Sequence, residues 1–242
     1  WNRFAKWVFK MGARLTARFA NELIFDAQAI AQYWHEHFGR TGTFIPYGGE
    51  PLQVEPLLAE MPPTPFALVV ARFVPENTVG EFLDAVDVIT SELDVVIVGA
   101  GAADNPLQVQ AQDLAATNSR VHHRGHVSDD DLLHSLWDQA AVYFHGHSVG
   151  GTNPALVQAM ALGSHVVARD TVYNREVLGE LARFVGPDPA EIGRAVIEEY
   201  RASTAPKQDV KRRAAEHYSW ESVCAAYEAT IRRMVARRYP PA

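Results

Sequence analysis

Tyr143-Phe-His-Gly-His-Ser-Val-Gly-Gly-Thr-Asn-Pro-Ala-Leu-Val-Gln-Ala-Met160 is the stretch that decides the fold. Its apolar start, Ala141 to Phe144, has the length and composition of a buried strand. Gly146, Gly150 and Gly151 then break the pattern, and Pro154 stands where a helix over 154–162 takes its first residue, a place where a missing N–H costs nothing. Thr152 and Asn153 supply caps and donors at the positive end of that helix. Gly150 and Gly151 let backbone amides come close to a ligand. A diphosphate suits such a place. The residues alone equally describe a glycine-rich turn between a strand and a helix.

The same alternation extends outward on both sides. Strands are expected at Phe66 to Ala71, Val95 to Val98, around Val121, at Ala141 to Phe144 and at His165 to Ala168. Helices are expected at Thr78 to Thr90, 106–117, 129–136, 154–162 and 189–202. Strand-helix alternation of this kind predicts an α/β fold with a Rossmann-like, doubly wound parallel sheet, whose ligands sit beyond the carboxyl ends of the strands. Upstream, five prolines between Glu50 and Pro65 (Pro51, Pro56, Pro62, Pro63, Pro65) read as a linker. Before it come a basic amphipathic helix over 3–19, a short strand at Glu22 to Ala27, a helix over 28–38 ending at Gly39, and a strand at Thr43 to Tyr47. These are β-α-β pieces of a sheet whose earlier strands are not in the sequence, and the start at Trp1 reads as a fragment start. A last helix, about 219–237, gathers Trp220, Val223, Tyr227, Ile231 and Met234 on one face.

Bulk properties exclude several classes. The 242 residues are 48% hydrophobic and 21% charged, an ordinary globular balance. No apolar run approaches the roughly 20 residues of a transmembrane helix. One cysteine, Cys224, leaves no intrachain disulfide and fits a reducing compartment, so a cytoplasmic location is the expectation. Net charge is −7, unevenly spread: residues 1–40 carry +3, residues 201–242 carry +5, and residues 41–200 carry −15. The acidic body argues against nucleic-acid binding. His145 and His147 have no third ligand at metal spacing, and His122, His123 and His126 read as strand or loop surface.

The run His145-Gly-His-Ser-Val-Gly-Gly-Thr-Asn-Pro154 resembles the signature of retaining GT-B glycosyltransferases of family 4, in particular bacterial capsule and exopolysaccharide rhamnosyltransferases. Phe44-Ile-Pro-Tyr-Gly48, Ala71-Arg-Phe-Val-Pro-Glu-Asn77, Arg124-Gly-His-Val-Ser128 and Asn174-Arg-Glu-Val-Leu-Gly179 agree in order and spacing, so the resemblance spans nearly the whole chain. It implies the end of an acceptor domain over 1–50, a linker over 51–65, a nucleotide-sugar-binding domain over 66–218 and a crossover helix over 219–242.

By that resemblance Arg72 neutralises the departing diphosphate, which a guanidinium suits because it stays charged and bonds two oxygens; a strand-end cap or a pair with Glu76 is the structural alternative. Asn77 stands where relatives carry a phosphate-binding lysine. Val127 lies in the loop that seats the nucleobase. Ser148, Gly150, Gly151, Thr152 and Asn153 form the phosphate loop, and one imidazole, taken as His147, meets the sugar hydroxyls or phosphate. Asn174 and Glu176 belong to a loop facing the donor sugar; a charge at a helix N-terminus is the structural alternative for Glu176. Relatives hold both ribose hydroxyls with a Glu where this chain has Gln158, an amide without the charge that makes two such bonds strong.

The implied reaction is retaining transfer of a sugar, rhamnose from dTDP-rhamnose in the first reading and a dTDP- or UDP-linked donor more generally, to a saccharide or lipid-linked acceptor in surface polysaccharide assembly. It needs no cofactor and no metal. Two other readings compete: a domain that binds nucleotide sugar without turnover, given Gln158 and the truncated acceptor domain, and another GT-B enzyme such as an epimerase, disfavoured by the Thr152-Asn153-Pro154 context. Helix 3–19 has two readings of its own. Its aromatic stripe packs on the missing sheet, the favoured version, or its Lys and Arg rest with Trp1, Phe4 and Trp7 on an anionic membrane surface as a peripheral contact.

Overall fold

The computed structural model describes residues 2–55, 57–202 and 206–238. Trp1, Pro56 and the end of the last segment, 239–242, lie outside the described residues. The chain begins with α1 (Arg3–Phe19), β1 (Ile24–Phe25), α2 (Gln28–Phe38) and β2 (Thr43–Phe44). Asn2 opens α1 by accepting from the Ala5 amide at 2.8 Å, and α2 stops at Gly39, which takes the left-handed conformation that a helix C-terminus favours (φ 61°). β1 and β2 pair in parallel through Ile24–Thr43 and Phe25–Phe44.

The segment rich in proline follows, with one turn of 3-10 helix at Leu58–Glu60. It is not a free tether. Leu52, Val54 and Met61 pack on the core of the following sheet, and the Leu57 amide donates to Ser135 Oγ at 2.9 Å.

That sheet is built from β3 (Phe66–Val70), then α3 (Val79–Asp84), α4 (Val86–Ile89), β4 (Asp94–Val98), α5 (Pro106–Thr117), β5 (Val121–Gly125), α6 (Asp130–Gln139), β6 (Val142–His145), α7 (Pro154–Ala161), β7 (Val166–Arg169), α8 (Val172–Leu178), β8 (Arg183–Val185) and α9 (Pro189–Ala202). Its six strands lie in the order β5-β4-β3-β6-β7-β8, every neighbouring pair parallel. Both faces are apolar, as a sheet covered on two sides requires. Leu68, Val96, Tyr143 and Val166 face α6, α7 and the following α10 (Lys207–His217). Ala67, Val95, Ile97 and Val167 face α3, α4, α5 and α9.

Four segments differ from the sequence-based expectation. The single helix at Thr78 to Thr90 is two short helices after a 3-10 turn at Pro75–Asn77, broken at Ala85, whose amide turns back to the Phe82 carbonyl at 3.1 Å. The Asn174 segment, expected as a loop, is α8, capped by Thr171 Oγ1 accepting from the Asn174 amide at 3.1 Å. β8 and α10 were not anticipated.

The last helix, α11 (Trp220–Arg238), returns to the first unit. Trp220 lies against Gly48, and Arg233 donates to Thr43 Oγ1 at 2.8 Å. Arg233 and Arg237 both reach the Glu22 carboxylate at 3.7 Å, so the two basic ends of the chain meet there. α1 buries none of its residues; Phe4 (71% exposed), Trp7 (56%) and Phe19 (72%) face outward. Among the described residues no sheet covers the aromatic stripe of α1. Among the described residues no helix is long and apolar enough to cross a membrane.

Candidate functional site at the switch point of the sheet

The chain runs from β3 outward to β5, then returns to lay β6 against the other edge of β3 and proceeds to β8. Between β3 and β6 the direction of winding reverses, which opens a crevice beyond their carboxyl ends. Arg72 follows β3 there, and His147 follows β6. α7 begins at the same level, with Pro154 in its first turn and Asn153 Oδ1 accepting from the Ala155 amide at 3.0 Å.

Two hollows share this crevice. One of about 560 Å³ is lined by Arg72, Glu76, Asn77, His147, Val149 and Asn153 among others. A second of about 420 Å³ is lined by Arg72, Gly99, His126, Val127, His147 and Ala155. Arg72 and His147 belong to both, so the hollows are two lobes of one cleft, with the N-terminal end of α7 on its wall. Among the described residues the Arg72 guanidinium has no ion pair and no hydrogen bond, Glu76 included, which leaves its charge available to a ligand. A roomier hollow of about 760 Å³ between α3 and α5 carries Glu81, Asp84 and Asp104 on its walls and would repel a phosphate.

The loop from β6 to α7 is held from below. Asn77, almost fully buried, donates through Nδ2 to the Arg72 carbonyl at 2.9 Å. Thr78 Oγ1 donates to the Gly146 carbonyl at 2.6 Å, and Ser148 donates to the Glu76 carbonyl through N (2.9 Å) and Oγ (2.8 Å). Asn174, 4% exposed, donates from one amide nitrogen to the carbonyls of His147 (2.9 Å) and Arg169 (2.8 Å). The loop's own turn needs Gly150, whose φ of 106° few other residues adopt.

Both histidines are kept neutral. His145 is fully buried, shares a hydrogen bond of 3.0 Å with the Tyr143 hydroxyl through Nδ1, and stacks on His147 with ring centres 4.5 Å apart. Burial, then the neighbouring His147, pushes its pKa well below the ordinary imidazole value. Burial, then the Arg72 charge, lowers His147 to about 4. His147 Nδ1 is buried with no partner among the described residues. At neutral pH this is a hydrogen-bonding imidazole beside a guanidinium, not a second cation. Among the described residues no group of three or more His, Cys, Asp or Glu could hold a metal ion.

The cleft thus brings together Arg72, Asn77, Val127, His147 and Asn153, with Ser148, Gly150 and Gly151 in the intervening loop. Four expected residues are engaged elsewhere, Asn174 in holding the His147 and Arg169 carbonyls. Gln158 grips the residue before the linker, accepting from the Glu50 amide at 3.0 Å and donating to its carbonyl at 3.1 Å. Glu176 caps α2, accepting from the Gln28 amide at 2.8 Å. Thr152 turns both its amide (3.1 Å) and its hydroxyl to the Asp26 carbonyl. Asp26 was missed by the sequence reading. It directly follows a short strand, and only the fold places it: a Cβ on Gly151 would fall 2.2 Å from its carboxylate.

A six-stranded parallel sheet in this order, with its cleft at the switch point, defines the class of Rossmann-like domains. Within that class the chain belongs to the glycosyl transferases: the family described as Glycosyl transferases group 1 matches residues 64–201. No curated protein sequence matches. Among solved structures, sucrose-phosphate synthase from Thermosynechococcus elongatus superposes with a TM-score of 0.81 at 17% identity, over 98% of this chain and 64% of that one. HepE of Anabaena, in complex with UDP-glucose, gives 0.81 at 17% identity over 95% of this chain and 68% of that one. TarM of S. aureus, in a complex that includes UDP and alpha-GlcNAc-glycerol, gives 0.75 at 12% identity over 95% and 46%. These likenesses establish the fold as GT-B. The chain spans about two thirds or less of the length of these proteins.

Proposed function

We propose that this chain is the donor-binding part of a GT-B glycosyltransferase that moves a sugar from a nucleoside diphosphate to a saccharide acceptor with retention at the anomeric carbon. The observation that carries this reading is the convergence of an unpaired guanidinium, Arg72, and the positive end of α7 on one cleft. A diphosphate placed there meets the Arg72 charge and the positive end of α7 beside Asn153. In the transfer, the bond from the anomeric carbon to the diphosphate oxygen breaks, the acceptor oxygen bonds that carbon from the same face, and the departing phosphate takes the acceptor's proton. Arg72 and the loop amides offset the charge that grows on the phosphate, so the protein contributes position and electrostatics rather than a base. The cleft residues need no metal for this. Neutral His147 donates to or accepts from a sugar hydroxyl. The second lobe, at Val127, takes the base.

Complexes of HepE with UDP and UDP-glucose support a pyrimidine nucleotide donor, a class that dTDP-rhamnose shares. The rhamnosyltransferase-like motif favours rhamnose, used in surface polysaccharide assembly in the cytoplasm. Exposed aromatics beside Lys6, Lys10, Arg14 and Arg18 on α1 suit peripheral contact with an anionic membrane carrying a lipid-linked acceptor. Binding without turnover is the second reading, favoured by Gln158, whose amide is spent on Glu50. Calorimetry with dTDP, UDP and GDP tests both: at least one must bind, and failure of all three contradicts the proposal. Mass spectrometry of donor and acceptor incubated with the chain then separates transfer from binding alone.

A further inference from the structure

Beside the donor cleft lies a smaller hollow with a different chemistry. Its volume is about 300 Å³, near the lower end of small-molecule sites, and its walls include Asp26, Pro46, Tyr47, Trp220 and Tyr227. It forms where the carboxyl ends of β1 and β2 meet the first turns of α11, the edge at which parallel strands present ligands. Its three aromatic side chains are 45% (Tyr47), 47% (Trp220) and 42% (Tyr227) exposed, half-covered platforms rather than core. Trp220 is fixed, since its indole lies so close to Gly48 that a Cβ there would approach it to 2.6 Å.

Asp26 forms the polar wall. Its carbonyl receives the Thr152 amide and hydroxyl, so the backbone is tied to the glycine-rich loop of the donor cleft. Its carboxylate lies over Gly151 and accepts no hydrogen bond from any described residue.

We propose that this hollow holds a saccharide ring. The C–H face of a pyranose is weakly positive and apolar, matching the negative faces of Trp220 and Tyr227. Adjacent hydroxyls donate to the two oxygens of Asp26, a charged acceptor that holds neutral donors firmly. The same charge repels phosphate, which keeps the nucleotide in the Arg72 cleft and reserves this hollow for the uncharged partner. Its role as the acceptor side rests on the transferase reading above, whereas ring binding can be tested by itself.

The test uses the whole chain. Saturation-transfer NMR is run with methyl α-glucoside, methyl α-rhamnoside and N-acetylglucosamine at millimolar concentration, while UDP is titrated by calorimetry in parallel. At least one saccharide receives transfer at its ring C–H protons. Tyr227→Ala weakens it about fivefold, the order expected for losing one aromatic face, and Tyr227→Phe restores it. If UDP binds and no saccharide does, this inference falls and the donor reading stands. If neither binds, both fall. If a saccharide binds equally well to Tyr227→Ala, the site lies elsewhere and the inference falls.

Discussion

Replacing Asn174 should damage the cleft from outside it. Its Nδ2 atom is the common donor to the carbonyls of His147 and Arg169, 2.9 and 2.8 Å away, at a site 4% exposed. Asn174→Ala removes both bonds, each worth about 0.5–1.5 kcal/mol net, and strands two carbonyls away from water, which raises the total to about 2–4 kcal/mol. The Thr171 cap on α8 uses the Asn174 backbone and is untouched. Asn174→Asp keeps the shape but, when ionised, turns oxygens toward two carbonyl oxygens. Its penalty should match or exceed that of alanine at pH 7 and shrink as acid restores one donor. Urea unfolding measures the difference, with the midpoint shifting at constant m. UDP affinity in the same variants should fall, because the His147 loop loses its anchor. An Asn174→Ala protein within about 0.5 kcal/mol of the parent would refute the reasoning, since a loss that small is expected only of surface positions.

Other outcomes follow from the same geometry. Gln158→Glu keeps the acceptor for the Glu50 amide but cannot donate to its carbonyl, so it should cost about 1 kcal/mol, or about 2–4 °C of Tm, while the second, now charged oxygen turns from that carbonyl and tightens UDP; calorimetry showing unchanged affinity would contradict the second half. His147 titrates at about 4 in the folded chain against 6.5 as its ordinary value. The unfolded chain thus binds the extra proton first, so stability is full above pH 6.5, declines as pH falls toward 4, and stays reduced below. Against His147→Gln the parent should show up to about 3 kcal/mol of additional loss across that window, read by urea unfolding at stepped pH; parallel profiles would contradict a buried neutral imidazole.

The sheet was legible because its central strands are apolar without alternation, each bounded by glycine or a polar cluster, and Pro154 marks a helix start without help from the rest of the fold. Arg72 and His147 are singled out by the resemblance, and the ends of β3 and β6 bring both to one cleft. β8 was not, being three residues, Arg183 to Val185, with an Arg at its head. α10 hides behind charge: only Val210 and Ala214 of its eleven residues are buried, one contact per turn. The roles of Gln158 and Glu176 could not be read because their partners, Glu50 and Gln28, lie 108 and 148 positions away. Asp26 was missed likewise, since what gives it a place is its approach to Gly151 across the seam with the first unit. Local pattern reveals elements and their ends; long-range pairing of exposed polar side chains leaves no such trace.

A crystal structure of the chain soaked with UDP tests the central claim most directly. The account predicts the β-phosphate in the cleft beyond β3 and β6, its oxygens about 2.7–3.1 Å from the Arg72 guanidinium and from amides of the Gly150 to Asn153 loop. A β-phosphate bound away from Arg72, or a cleft left without nucleotide at saturating UDP, would contradict it.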